Sequence, residues 1–278
     1  MKKIVITMVL LFVIGVIGTL VSVSASGGFS LDTYNIHDNA VVTNKDISKI
    51  EIDLSSSDLT VQPTSEDEIS VELSGRISKK LKKKLKLDVN EKGETLKIGL
   101  KGEDQFKFNV GVLIVDTSVE VFLPEKLYNT IKIDTSSGDI NVGNLKAKET
   151  VFEASSGDLT IKNLDSLNQR YHTSSGEMEL SDVVGDITAE SSSGDIIIQN
   201  FNSYGNIDAS TSSGDITVGY KNTPSSLEFD FKGSSGEGEV TLDGATYEDK
   251  SEHEIRGKVG SGGFTVSAQT SSGDFYLK

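Results

Sequence analysis

Seven carboxylates stand at near-constant spacing in the second half of the chain: Asp139, Asp158, Glu177, Asp195, Asp215, Glu237 and Asp274. Each follows a Ser-Ser-Gly triplet, so a fold that superposes the triplets sets the acids in a column about 5 Å apart. Two roles are open to such a ladder. Hard cations such as Ca²⁺ or Mg²⁺ favour carboxylate and carbonyl oxygens, and they would relieve repulsion of roughly 0.8 kcal/mol per neighbouring pair in water. Alternatively, each acid caps its own turn and stays hydrated. The motif differs from the Gly- and Asp-rich nonapeptide that holds Ca²⁺ in secreted β-rolls.

A second chemical feature is the basic run Lys79, Lys80, Lys82, Lys83, Lys84 and Lys86, interrupted only by Leu81 and Leu85. Six lysines could contact anionic lipid headgroups or phosphate-rich wall polymers, each adding up to about 1 kcal/mol near the surface. The competing reading is a solvated turn entering a strand, with Leu85, Leu87 and Val89 inward and the lysines guarding an edge. Serine recurs beside acids, and His172 precedes Thr173-Ser174-Ser175, yet no GxSxG elbow or SxxK motif is present. A nucleophile needs one activated serine with a positioned base, whereas these serines repeat. The first residue of the motif varies between copies, being Asp134, Glu153, Glu190, Ser210, Lys232 or Gln269 elsewhere, which marks His172 as an exposed repeat variant. No P-loop or GxGxxG fingerprint occurs. The three histidines lack metal-ligand spacing, and no cysteine is present, which excludes thiol chemistry, Cys-based zinc and iron–sulfur sites. No catalytic, metal-binding or cofactor-binding residue is assigned, and no cofactor is expected.

The elements that must carry these residues follow from the repeat. The nonapeptides DTSSGDINV, EASSGDLTI, HTSSGEMEL, ESSSGDIII, STSSGDITV, KGSSGEGEV and QTSSGDFYL begin at Asp134, Glu153, His172, Glu190, Ser210, Lys232 and Gln269. Their glycines, Gly138, Gly157, Gly176, Gly194, Gly214, Gly236 and Gly273, are spaced 19, 19, 18, 20, 22 and 37. Within the long gap, VGSGGFTV from Val259 reads as a degenerate member, and SSSDLTV from Ser55 as a copy with Ser57 in place of glycine. Apolar residues alternate on both sides of each triplet, the period of a strand with one buried face. The expected unit is strand, turn, strand, with glycine supplying a positive φ and the serines bonding back to the turn's own backbone. An antiparallel sandwich also recurs in hairpins, but its hairpins occupy different environments and have no reason to repeat one tetrapeptide. Stacked coils do. The chain is therefore expected to be all-β, a β-solenoid of stacked SSGD-turn repeats of about 19 residues, with an N-terminal transmembrane helix.

Four segments result. Residues 1–25 carry Lys2 and Lys3 followed by an uncharged run from Ile4 to Val23 that spans roughly 30 Å as a helix, the thickness of a bilayer core. This is a membrane anchor or, alternatively, a secretory signal cleaved near Ala25; either way the lysines stay inside and the rest goes outward. Residues 26–45 read as a linker. Residues 46–133 form an irregular β region that caps or starts the solenoid, with a hairpin around Lys92-Gly93-Glu94. Residues 134–278 form the β-repeat region. Of the net charge of −15, residues 134–278 hold −14, with 24 acidic and 10 basic residues, a field that repels nucleic-acid backbones.

The N-terminal apolar segment, LPEKLYNTIKI from Leu123 to Ile133 and the serial SSGDI-type turns resemble the bacterial putative-adhesin β-strand-repeat domain of unknown function, over residues 46–278. The whole chain is similar to LiaG-like proteins of Gram-positive bacteria, and this resemblance implies a membrane-anchored protein tied to the cell-envelope stress response. It brings no catalytic residues. The function expected is a noncatalytic, membrane-tethered extracytoplasmic module of the cell envelope, structural or interacting, with envelope proteins or wall polymers as partners and no nucleic acid. The alternative is a carbohydrate-active β-helix enzyme acting on wall polymers through a carboxylate pair. Against that enzyme stands the scarcity of aromatics, 6% overall with no tryptophan.

Overall fold

Short runs of alternating apolar residues, punctuated by Ser-Ser-Gly and Asn corners, can bury one face only by stacking on their neighbours. In the computed structural model, residues 8, 11–15, 17–18, 32–102 and 114–278 are described. From residue 32 onward the described chain is built of strands, apart from one turn of 3-10 helix at Lys79–Leu81. The first strands are β1 (Thr33–Val42), β2 (Lys49–Leu54), β3 (Asp58–Thr64), β4 (Ile69–Ser78), β5 (Lys86–Lys92), β6 (Thr95–Lys101) and β7 (Val115–Pro124). Then come β8 (Leu127–Thr135), β9 (Ile140–Gly143), β10 (Lys146–Ala154), β11 (Leu159–Lys162), β12 (Asp165–Thr173), β13 (Met178–Ser181), β14 (Val184–Ser191), β15 (Ile196–Asn200), β16 (Ile207–Thr211) and β17 (Ile216–Tyr220). The last six are β18 (Leu227–Gly233), β19 (Gly238–Val240), β20 (Ala245–Lys250), β21 (Glu254–Val259), β22 (Phe264–Thr270) and β23 (Phe275–Leu277).

Each rung is one long strand, a Ser-Ser-Gly corner and one short strand. The long strands make a 12-stranded sheet ordered β20-β21-β18-β22-β16-β14-β12-β10-β8-β2-β6-β5, and the short ones belong to an 11-stranded sheet ordered β1-β4-β7-β3-β9-β11-β13-β15-β17-β23-β19. Successive rungs pair in parallel, Phe152 opposite Tyr171 and Leu159 opposite Met178, which reproduces the 19-residue period in register. The fold is thus all-β and solenoid-like, as the repeat predicts.

Chain order and stack order part company at both ends. The rung β2/β3 lies between β6/β7 and β8/β9, and the C-terminal rung β22/β23 lies between β16/β17 and β18/β19. Antiparallel strands then close the stack: β4 and β1 beyond β7, β5 beyond β6, and β21 and β20 beyond β18. The edge strands β5 and β20 carry Lys86, Asp88, Glu91, Glu248, Asp249 and Lys250, charges that oppose pairing with a further chain.

The core is a set of columns running along the stack. Ile133, Phe152, Tyr171, Ala189, Ala209, Ala268 and Phe231 occupy one of them, all buried. Phe152 and Tyr171 on one side and Phe231 on the other flank three alanines, and Phe231 fills the last rung by stacking on Phe275 with ring centroids 5.0 Å apart. Each large side chain so buried contributes about 2 kcal/mol.

Four expectations need correction or placement. Residues 33–42, inside the expected linker, form β1 because their backbone completes the edge of β4. The segment Val259–Val266 is not a stacked corner but the connection from β21 to β22, since β21 runs antiparallel to β18 while β22 runs parallel to it. The expected transmembrane segment lies mostly outside the described residues, and among those no helix is long and apolar enough to cross a membrane. The boundary expected at residue 134 falls inside β8, and β2/β3 and β6/β7 of the 46–133 region are themselves stacked rungs, in line with a region that starts the solenoid.

Candidate functional site

The repeated corners use their polar groups on one another. Ser156 N–H donates to Ser136 O at 2.9 Å, Ser193 N–H to Ser174 O at 3.0 Å and Ser235 N–H to Ser271 O at 2.9 Å, so the inter-rung ladder continues around the bend. The motif glycines are buried and none has a φ in the left-handed region, which overturns the expectation that glycine supplies a positive φ. Glycine is required by close approach instead. A Cβ on Gly176 would stand 1.9 Å from Gly157 O, and each other motif glycine meets the carbonyl of the preceding corner in the same way. The column order is Ser57, Gly138, Gly157, Gly176, Gly194, Gly214, Gly273, Gly236, matching the strands rather than the sequence. At one end the Ser57 hydroxyl pairs with that of Thr117 on β7 at 2.7 Å. At the other, His253 Nδ1 donates to Gly236 O at 2.7 Å and terminates the column.

A buried hydroxyl three residues before five of the seven motif glycines completes the corner, from Thr135, Thr173, Ser191, Thr211 and Thr270. Thr173 Oγ1 accepts Gly176 N–H at 3.0 Å and donates to Gly157 O at 3.4 Å; Thr211 and Thr270 do the same. Ala154 occupies this position in its rung. Ala154→Thr is therefore expected to stabilise the protein by about 1 kcal/mol and to raise its melting temperature by about 2 °C. A lower melting temperature would show that the column has no room for the methyl group.

The acidic ladder forms, but its carboxylates cap the neighbouring rung rather than their own turns. Asp139 Oδ1 accepts Asp158 N–H at 3.0 Å, Asp158 accepts Glu177 N–H at 2.8 Å, Asp195 accepts Asp215 N–H at 2.8 Å, Asp215 accepts Asp274 N–H at 2.7 Å and Asp274 accepts Glu237 N–H at 2.9 Å. Among the described residues no group of three or more His, Asp or Glu is arranged to hold a metal ion. The serines beside the acids face solvent. His172 lies on β12 between Glu153 and Glu190 of the adjacent rungs, its Nδ1 4.0 Å from Glu190, so it dilutes an outward column of acids and does not activate a serine. In that same column burial, followed by the neighbouring Glu153 charge, pushes the Asp134 carboxyl up.

All six lysines of the basic run are exposed, while Leu81 and Leu85 between them are buried. Lys79 bonds to Asp32 at 3.0 Å, and the Lys82 ammonium lies 4.2 Å above the Tyr34 ring. The run thus forms a cationic turn at the point where the described body of the chain begins, leading into edge strand β5.

The opposite corner of the stack was not singled out from the sequence. Asn144, Asn163 and Asp182 adopt left-handed φ values of 57°, 52° and 52°, each followed by a buried apolar residue, Leu145, Leu164 or Val183. The recurring Asn-Leu at 19-residue spacing was the available signal, as Asn tolerates this conformation. Asn163 Nδ2 donates to Asn144 Oδ1 at 3.0 Å, and Asn222 Nδ2 to Asn202 Oδ1 at 2.9 Å, continuing an amide ladder. Beside Asn202 and Asn222 opens a cleft of about 600 Å³ between Phe264 and Pro224.

The family model described as Toastrack DUF4097 matches residues 47–184 and 128–278. Comparison with curated proteins gives no match. Similar solved structures include a putative cell adhesion protein from Clostridium sporogenes, 15% identical, covering 88% of this chain and 99% of that one with a TM-score of 0.37. A putative adhesin from Bacteroides fragilis is 13% identical over 88% of this chain and 97% of its own, with a TM-score of 0.49. A putative lipid binding protein from Parabacteroides distasonis is 12% identical over 90% of this chain and 98% of its own, with a TM-score of 0.42. The two matched segments overlap at 128–184, as a repeated unit allows, and together they run from residue 47 to residue 278: the chain belongs to the Toastrack DUF4097 family.

Proposed function

We propose that this protein is a noncatalytic, membrane-tethered interaction module of the cell envelope, its β-stack held outside the membrane as a scaffold. The observation that carries this reading is the corner column. The serines and acids that could do chemistry stand in nearly identical settings rung after rung, and the acids accept backbone N–H groups of the next rung. Catalysis needs one site unlike the rest. A part in the envelope stress response rests on the resemblance to LiaG-like proteins alone.

Tethering is supported by the uncharged run from Ile4 to Val23 behind Lys2 and Lys3. Asp32, where the described body starts, is bonded to Lys79 of the cationic turn. Nine peptide steps separate Val23 from Asp32, a reach of at most about 30 Å, so a chain anchored through residues 1–25 would carry its six lysines close to anionic headgroups. Fractionation with intact-mass measurement is expected to find the uncleaved chain in the membrane; a soluble product starting near Ser26 would sink the tether. Changing Lys79, Lys80, Lys82, Lys83, Lys84 and Lys86 to glutamine is expected to weaken contact with anionic lipid. In a trypsin-accessibility assay on vesicles carrying the full chain, adding phosphatidylserine should protect the wild-type turn and leave the variant's flanking Arg76 site unchanged. Equal cleavage at the turn with and without phosphatidylserine would remove the lysine contact.

A further inference from the structure

We propose that the cleft at the Asn corner between β16, β18 and β22 binds a neutral saccharide. This deepens the interaction-module reading and rests on it. The repeat itself marks the place. Glycine spacing is 18 or 19 through the first rungs and widens to 20 and 22 where the chain passes Phe201–Gly205 and Lys221–Ser226. Extra residues that the stack does not need map to loops on one face, commonly the face that binds.

The lining has the composition of a sugar site. Asn202, Asn206, Asn222, Thr223, Ser225 and Phe264 contribute to it, and no lining residue is charged, although the C-terminal half of the chain carries −14. Neutral amides and hydroxyls suit the alternating donors and acceptors of a polyhydroxyl ligand, whereas an anion would meet the surrounding negative field with no cation in the lining to receive it. Aromatic side chains supply the apolar face against which a sugar ring lies. Among the described residues five aromatics are exposed; of these Phe264, at 43%, lines the cleft and Tyr204, at 45%, is bonded to its Asn202.

The polar groups are held in place before any ligand arrives. Asn222 Nδ2 donates to Asn202 Oδ1 at 2.9 Å, and Asn202 Nδ2 donates to the Tyr204 hydroxyl at 2.6 Å, so one relay fixes two amides and an aromatic. Asn206 is fixed from the other side, donating to Asp186 at 3.1 Å and accepting Thr265 N–H at 3.0 Å. A site fixed in advance loses less freedom on binding, which matters most for a weak polar ligand.

The test is calorimetric titration of the full chain, in a detergent without a sugar headgroup, with cellotriose, maltotriose and the trimer of N-acetylglucosamine. Poly(glycerol phosphate) is the anionic comparison. Saturable binding of one or more neutral trisaccharides is expected, weakened about tenfold by Phe264→Ala and by Asn222→Ala and unchanged by Leu167→Ala, which removes an exposed apolar side chain elsewhere. Cooperative melting of each variant confirms that it is folded. The proposal is overturned if none of the three sugars binds the folded chain, if Phe264→Ala and Asn222→Ala both bind as the wild type does, or if only the anionic polymer binds. Membrane fractionation of the same preparation reports on the tether separately, so failure of the cleft is distinguishable from failure of the module.

Discussion

Replacing Gly176 by alanine is expected to destabilise the protein by about 3 kcal/mol or more and to lower its melting temperature by about 6 °C or more. The added methyl has nowhere to go, because Gly157 O lies 1.9 Å from its position and that carbonyl belongs to backbone held in register on both sides. Separating the corners would break the Asp158 to Glu177 cap and the Thr173 bridge together. Gly93 provides the contrast. Its φ is 61° and no atom lies within 4 Å of its Cβ position, so Gly93→Ala should lose only about 1–2 kcal/mol, the cost of left-handed backbone for an L-residue. Asparagine separates the two causes, since it tolerates left-handed backbone but still carries a Cβ. Gly93→Asn should recover most of the loss, whereas Gly176→Asn should be at least as damaging as Gly176→Ala. Wild-type melting of both Gly176 variants would remove close stacking as the reason for the glycine column.

The same column shows what the sequence could and could not convey. A tetrapeptide repeated at a fixed interval says that equivalent corners share one environment, and stacking follows. It does not say what that environment demands, and a turn glycine read in isolation suggests positive φ when the constraint is a carbonyl contributed by a residue 19 positions away. Ser57 shows the point from the other side: it sits at the end of the column, stacked on by Gly138, so a side chain is tolerated there. Reading chain order as stack order puts Gly273 last, but β22 and β23 pair with β16 and β17, strands 59 residues earlier in register, and no local pattern encodes so distant a choice. Complementary volumes do distinguish it after the fact, as Phe275 meets Phe231 across the alanine column. The acids were legible as a ladder, but not as acceptors for the next rung's N–H, because that bond depends on the corner's orientation. At the Asn corner the 19-residue recurrence is present in the sequence, but Asn-Leu is a weaker signature than Ser-Ser-Gly.

Above pH 10 the protein is expected to lose stability steeply, at about 1.4 kcal/mol per pH unit for each buried tyrosine that stays neutral in the folded state. Burial pushes the Tyr128 and Tyr171 hydroxyls far up and raises Tyr220 to about 12. In the unfolded chain all three ionise near 10. The unfolded state therefore binds fewer protons at alkaline pH and is favoured by each further increase. The stabilisation is complete below pH 10 and is lost as pH rises towards the folded-state values, so the slope from the three groups reaches about 4 kcal/mol per pH unit between 10 and 12. Lysine deprotonation adds to the loss by enlarging the net negative charge from −15. Tyr171→Phe isolates the tyrosine contribution, because the lysines titrate alike in both proteins. At neutral pH this variant should lose about 1 kcal/mol, since Gln169 Oε1 forfeits the 2.6 Å bond from the Tyr171 hydroxyl inside the core. Above pH 10 its stability should fall with a slope smaller by about 1.4 kcal/mol per unit, so the two curves converge and cross about one pH unit above 10. Denaturant melts of both proteins from pH 9 to 11.5 give the slopes directly. Parallel curves would mean that Tyr171 ionises as readily in the fold as outside it, and the sealed interior between the two sheets would have to be abandoned.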